Sequence, residues 1–173
     1  MQAFTAAKRV VDKVMEWLCI IILGVMTVLV TYQVLTRYFF NKPSAISEAL
    51  AQYLFVWMIM YGSAYVFGLK EHLDITILKD KLHGASLLAV ELLINIVLIL
   101  FSVMGLMYGG YLVTAQQMNT VDAALQIPMG VIYSAIPISG VFILFYAIYN
   151  ICLAFDAYQK GQSGVIKDAG STM

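Results

Sequence analysis

Four long apolar stretches, broken by short polar segments, govern the pattern of this chain. Twenty residues without a formal charge lie between Glu16 and Arg37, and 21 lie between Glu48 and Lys70. Each run is long enough for a helix to cross the hydrocarbon core. Thirty uncharged residues separate Glu91 from Asp122 and 33 separate Asp122 from Asp156, room for a spanning helix plus interfacial turns. The pattern predicts helices over about 14–38, 47–69, 85–113 and 128–155. Barrel strands would instead show segments of roughly ten residues alternating in polarity. The expected fold class is therefore an all-α membrane protein with four transmembrane helices: a cytoplasmic N-terminal segment (1–13), a four-helix membrane domain (14–155) and a cytoplasmic C-terminal tail (156–173). The first run is long and meets no small-x-small cleavage site before Arg37, so it reads as an anchor rather than a signal peptide.

The connections add detail. Residues 70–83, KEHLDITILKDKLH, put Leu73, Ile77, Leu78 and Leu82 near one helical face, which predicts a short amphipathic surface helix between helices two and three. Between the first two spans, Asn41-Lys-Pro predicts a turn, Ser44 is placed to cap the next helix and Glu48 is expected in or near its first turn, against the positive end of the dipole.

Composition agrees with the pattern: 62% of residues are hydrophobic and the mean hydropathy is +0.87, values foreign to a water-soluble domain of this size. Charge then sets orientation. Eight Lys and Arg fall in the N-terminal, second and C-terminal connections, against Arg37 and Lys42 on the opposite side, which predicts both termini in the cytoplasm. Trp17, Tyr146, Tyr149 and Tyr158 fall near the expected inner boundary, and Tyr38, Tyr108, Tyr111 and Tyr133 near the outer one. Cys19 and Cys152 read as free thiols at the reducing side.

Candidate chemistry is sparse. Glu91 is the one carboxylate expected well inside a span, with Asn95 a turn away. A buried carboxylate bonded to a partner group, or one reaching an interface, outweighs a proton or cation site as its reading, because one isolated carboxylate makes no substrate route. Arg37 and Glu48 flank the outer loop and are candidates for a charge-assisted clamp, for contact with another subunit, for both together, or for solvated positions with neither role. Trp57 lies mid-span, where its indole N–H needs an acceptor, and is read as lipid-facing or as buried against a partner. Gly105 and Gly109 form a GxxxG pair, and Gly62 beside Ser63 and Ala64 makes a second thin surface. Pro128 starts helix four, while Pro137 lies inside it and frees a carbonyl near Ile132 and Tyr133. No catalytic, cofactor-binding or metal site is expected. His72 and His83 are not paired across spans, which disfavours haem ligation, and no phosphate loop, zinc-protease helix or nucleophile elbow occurs. The balanced charge offers no nucleic-acid surface.

Taken together, Arg37-Tyr-Phe-Phe with Pro43, Glu48-Ala-Leu-Ala-Gln-Tyr-Leu-Phe-Val-Trp57, Gly62, His72-Leu-Asp74, Leu125-Gln-Ile-Pro128-Met-Gly130, Tyr133 and Pro137 resemble the small membrane subunit, the DctQ-like component, of tripartite ATP-independent periplasmic (TRAP) transporters. The resemblance covers roughly residues 14–155. Many relatives carry a Trp shortly before the position of Glu48, where this chain has Ala45, Ile46 and Ser47. The resemblance implies a non-enzymatic scaffold subunit of the bacterial inner membrane, adds His72 to the candidate contact residues, and implies a large membrane subunit, a periplasmic substrate-binding protein and membrane lipids as partners. Na⁺ is then expected at the large subunit, with no cofactor in this chain. The transported organic acid would be sialic acid or a C4-dicarboxylate, the former slightly favoured. The alternatives are a small self-associating transporter or channel, and the membrane anchor of a respiratory complex.

Overall fold

A computed structural model describes residues 2–39, 44–69 and 85–159. Helix α1 runs Gln2–Phe39 and α2 runs Ala45–Leu69. The third span joins α3 (Ala85–Leu100), a π-helical segment (Phe101–Gly109) and α4 (Gly110–Gln117). The fourth joins α5 (Met129–Tyr133) to α6 (Ala135–Gln159). Four helical stretches are thus long and apolar enough to cross a membrane, as the hydrophobic pattern predicts. The expected surface helix over 70–83 lies outside the described residues.

The helices form a row in which the fourth span lies between the second and third, and α1 attaches mainly through α2. Burial follows that order. Of the most apolar window in each span, 39% is buried in the fourth and 6% in α1, so α1 offers most of its circumference to lipid or to another chain. The core is built from Met15 and Ile22 on α1, Tyr61 and Ala64 on α2, and Ala135 and Ile143 on α6.

Helix α1 begins well before the predicted residue 14. The sequence from Thr5 to Lys13 contains no Gly or Pro, and Lys8 pairs with Asp12 one turn on at 2.7 Å, so the helix continues past the apolar run. The π segment in the third span has no proline to announce it. Within it the Gly110 N–H reaches back to Gly105, and the Ser102 hydroxyl donates to the Gly140 carbonyl at 2.6 Å. A Cβ at Gly140 would lie 2.9 Å from that of Leu106, so the third and fourth spans meet almost backbone to backbone at this level.

Pro128 caps α5 with extended backbone (φ −61°, ψ 130°), as expected of a proline at a helix start. The break in the fourth span falls at Ser134, three residues before Pro137. Pro137 has no N–H to give to Tyr133, and the chain regains its hydrogen bonding through Ser134 N–H to Gly130 and Ile138 N–H to Ser134. The connection from the third to the fourth span is a compact turn closed by Met129 N–H to Thr120 and an isolated bridge between Val121 and Pro128, with Gln126 at φ 57°.

Candidate functional site

At the end of the bundle where α1 passes into α2, the two helices enclose a cleft of about 250 Å³ lined by Gln33, Val34, Arg37, Tyr38, Ser44 and Glu48. Helix α1 supplies the first four, as two adjacent pairs one turn apart. Ser44 then caps α2, its hydroxyl oxygen accepting from the Ser47 N–H at 3.4 Å and its carbonyl from the Glu48 N–H at 3.2 Å. Arg37 sits in the last turn of α1 and Glu48 in the first turn of α2, each complementary to its helix dipole. The two expected clamp residues therefore share one cleft, but they are exposed and no ion pair joins them. Gln33 contributes an enclosed amide nitrogen with no acceptor among the described residues.

Two polar groups elsewhere tie different helices together, Trp57 and Asp12. Trp57 donates its indole N–H to the Ile132 carbonyl at 3.0 Å and meets Tyr61 edge to face, ring centroids 6.0 Å apart. Its acceptor lies beside the broken turn of the fourth span, so the mid-span indole and the Pro137-disrupted helix satisfy each other. The indole is half-buried, with its N–H satisfied inside this chain. At the opposite end, Asp12 accepts from Lys8 at 2.7 Å and from the Tyr146 hydroxyl at 2.8 Å, while Lys8 also lies over the Tyr149 ring at 5.8 Å. Tyr146 is fully buried rather than an interfacial anchor. A Cβ at Gly68 would fall 2.5 Å from its ring, so that glycine lets α2 close over the tyrosine.

In the turn after the third span, Asp122 accepts the Tyr53 hydroxyl and the N–H groups of Ala124 and Leu125, the latter two at 2.8 and 2.7 Å. The Tyr53 hydrogen bond first, then those amides, hold its carboxyl below the ordinary carboxylate range. Glu91 and Asn95 are both buried, and the Asn95 amide donates to the Glu91 backbone carbonyl at 2.8 Å rather than to its carboxylate.

The glycines divide differently from their sequence pattern. Gly105 is exposed, and a Cβ there would meet only Phe101 of its own helix; Gly109 would meet only the backbone of Met104, and Gly62 meets nothing within 4 Å. None of the three makes a close helix approach among the described residues. Gly110, Gly130 and Gly140 do so instead. The i, i+4 spacing of Lys8 and Asp12 is a signal that could have found their pair, but Tyr146 lies 134 positions away from Asp12, and no local signal joins them. His72 lies outside the described residues.

These features define a four-span helical membrane protein in which Trp57, Ser102 and Asp12 tie different helices together. Residues 26–157 match the family described as tripartite ATP-independent periplasmic transporters, DctQ component. The chain belongs to that family. It is 27% identical over 133 residues to a "Putative TRAP transporter small permease protein" of Haemophilus influenzae, covering 77% of this chain and 82% of that one. Against the "Sialic acid TRAP transporter small permease protein SiaQ" of Vibrio cholerae, identity is 26% over 144 residues and 83% of each chain.

Proposed function

We propose that this chain is the scaffold subunit of a sodium-coupled TRAP transporter that imports an organic acid, with substrate and Na⁺ held by a large membrane subunit and substrate delivered by a periplasmic binding protein. The observation that carries this reading is the use of the embedded polar groups. Ser102, Trp57 and Asp12 are engaged with partners on other helices of the same chain, and no set of cationic side chains converges on a carboxylate-sized space within the described spans. A transporter needs polar groups around a central site; a support needs them to fix its own helices. The poorly buried α1 then supplies area for a partner, and the chain carries no enzymatic step. Sialic acid is the favoured substrate class, supported by the name of the Vibrio cholerae relative. The subunit sits in the inner membrane with both termini cytoplasmic.

Reconstitution of this chain alone, the large subunit alone, and both with the binding protein, each under a sodium gradient, tests the division of labour. Sialic acid uptake is expected only with the complete set. Uptake by this chain alone overturns the scaffold assignment, and uptake of a C4-dicarboxylate in place of sialic acid overturns the substrate class alone.

A further inference from the structure

The cleft between the end of α1 and the start of α2 carries one positive and one negative side chain, Arg37 and Glu48, both exposed and joined by no ion pair. It also borders an enclosed amide nitrogen of Gln33 that lacks an acceptor among the described residues, an unusual state for a buried donor. The last torsion of a glutamine side chain is soft, so a small rotation offers that N–H to an acceptor in the cleft. Two donors beside one carboxylate complement a ligand with an anionic acceptor group and a cationic donor group close together. The volume of about 250 Å³ suits a small polar group; a helix, about 10 Å across, does not enter.

Position narrows the ligand further. The first membrane-spanning stretch ends at Phe39 and the second begins at Ala45, which puts the cleft where hydrocarbon gives way to headgroups. Val34 and Tyr38 wall the cleft, and with exposed Val30 they form an i, i+4, i+8 stripe on α1 leading from it toward the middle of the span. That stripe is an apolar track for an acyl chain whose headgroup occupies the cleft. We infer that this cleft is a binding site for a phospholipid with a primary-ammonium headgroup, phosphatidylethanolamine in its chemistry, with the phosphate on Arg37 and Gln33 and the ammonium on Glu48.

The full chain, purified from membranes and stripped of lipid, is titrated in detergent with phosphatidylethanolamine, phosphatidylcholine and phosphatidylglycerol, and bound lipid is counted by native mass spectrometry. Phosphatidylethanolamine should be retained about ten-fold better than phosphatidylglycerol, the scale of one charge-assisted hydrogen bond. Phosphatidylglycerol leaves Glu48 beside a phosphate without an ammonium, and the choline headgroup has no N–H to donate. Glu48→Gln should erase the preference for phosphatidylethanolamine over phosphatidylglycerol, and Arg37→Gln should weaken retention of both. Because the comparison of lipids on the unaltered chain needs no variant, equal retention of the three lipids there overturns the assignment outright. So does complete displacement by inorganic phosphate, which marks a free-anion site. Should the two variants lose co-purification of the large membrane subunit while keeping the lipid preference, the cleft is a protein interface and the lipid assignment falls.

Discussion

Asp122 shows how one side chain organises a connection that its sequence leaves open. Its carboxylate gathers a hydroxyl from α2 and two amides of its own turn, an arrangement that favours the ionised form. A carboxyl whose pKa is lowered by folding binds fewer protons in the folded state, so its contribution to stability grows with pH. That contribution is complete above the ordinary value of about 3.9 and disappears as pH falls through the lower folded value. Hydrogen exchange at the Ala124 and Leu125 amides should therefore be slow and level from pH 7 to about pH 4, after correction for intrinsic rates, and should lose protection below that. Tyr53→Phe removes the largest cause of the shift and should move the loss to higher pH. Asp122→Asn should remove the pH dependence of the turn; an unchanged profile in that variant would refute the role of the carboxylate. Sequence reading marked Asp122 only as the charge between two apolar runs, because its main partner is on another helix, 69 positions away.

Among the elements, the third and fourth spans decide which glycines matter. The Gly105 and Gly109 pair has the spacing of a helix-association motif, yet in this chain Gly105 points outward, while Gly140, outside any such spacing, lies against Leu106 and Met107. Gly140→Leu must force the two spans apart and should destabilise the isolated chain by about 1–3 kcal/mol or more. Gly105→Leu should stay within about 0.5 kcal/mol of the parent, since only the flexible ring of Phe101 has to move. Thermal unfolding in detergent separates the two, and equal losses would contradict the helix facing described above. Co-purification with the large subunit, measured on Gly105→Leu, then reports whether the outward glycine meets that partner. Helical spacing identified small surfaces without saying which side of the helix the rest of the protein occupies.

For the whole molecule, the row of spans leaves α1 at an edge, tied to the others by α2 along most of its length and by the Asp12–Tyr146 bond near one end. An edge helix with so little of its surface buried is suited to lie between this chain and a second one, as a scaffold subunit requires. The eight-to-two distribution of basic residues predicts both ends of the chain in the cytoplasm. A cysteine introduced near Asn41 should react with an impermeant thiol reagent added outside intact inner-membrane vesicles of periplasmic-side-out orientation, and cysteines near Gln2 or Gly164 should not. Labelling at either terminus would reverse the topology and with it the side on which the α1–α2 cleft meets lipid.

Hydrophobic length determined the number of spans, because a helix must carry about 20 apolar residues to satisfy its backbone in hydrocarbon. Local chemistry determined the starts of α2 and of the fourth span, since Ser44 and Pro128 act on the backbone within a turn of themselves. The motif pattern from Arg37 to Pro137 determined the family. Tertiary structure alone decided the 1-2-4-3 row, the pairing of Trp57 with Ile132, the closing of Gly68 over Tyr146 and the meeting of Arg37 with Glu48 around a cleft instead of in an ion pair. In an apolar span nearly every face is hydrophobic, so periodicity does not say which face turns inward. That choice rests on close approach and on a few hydrogen bonds between distant residues, and neither leaves a local mark in the order of amino acids.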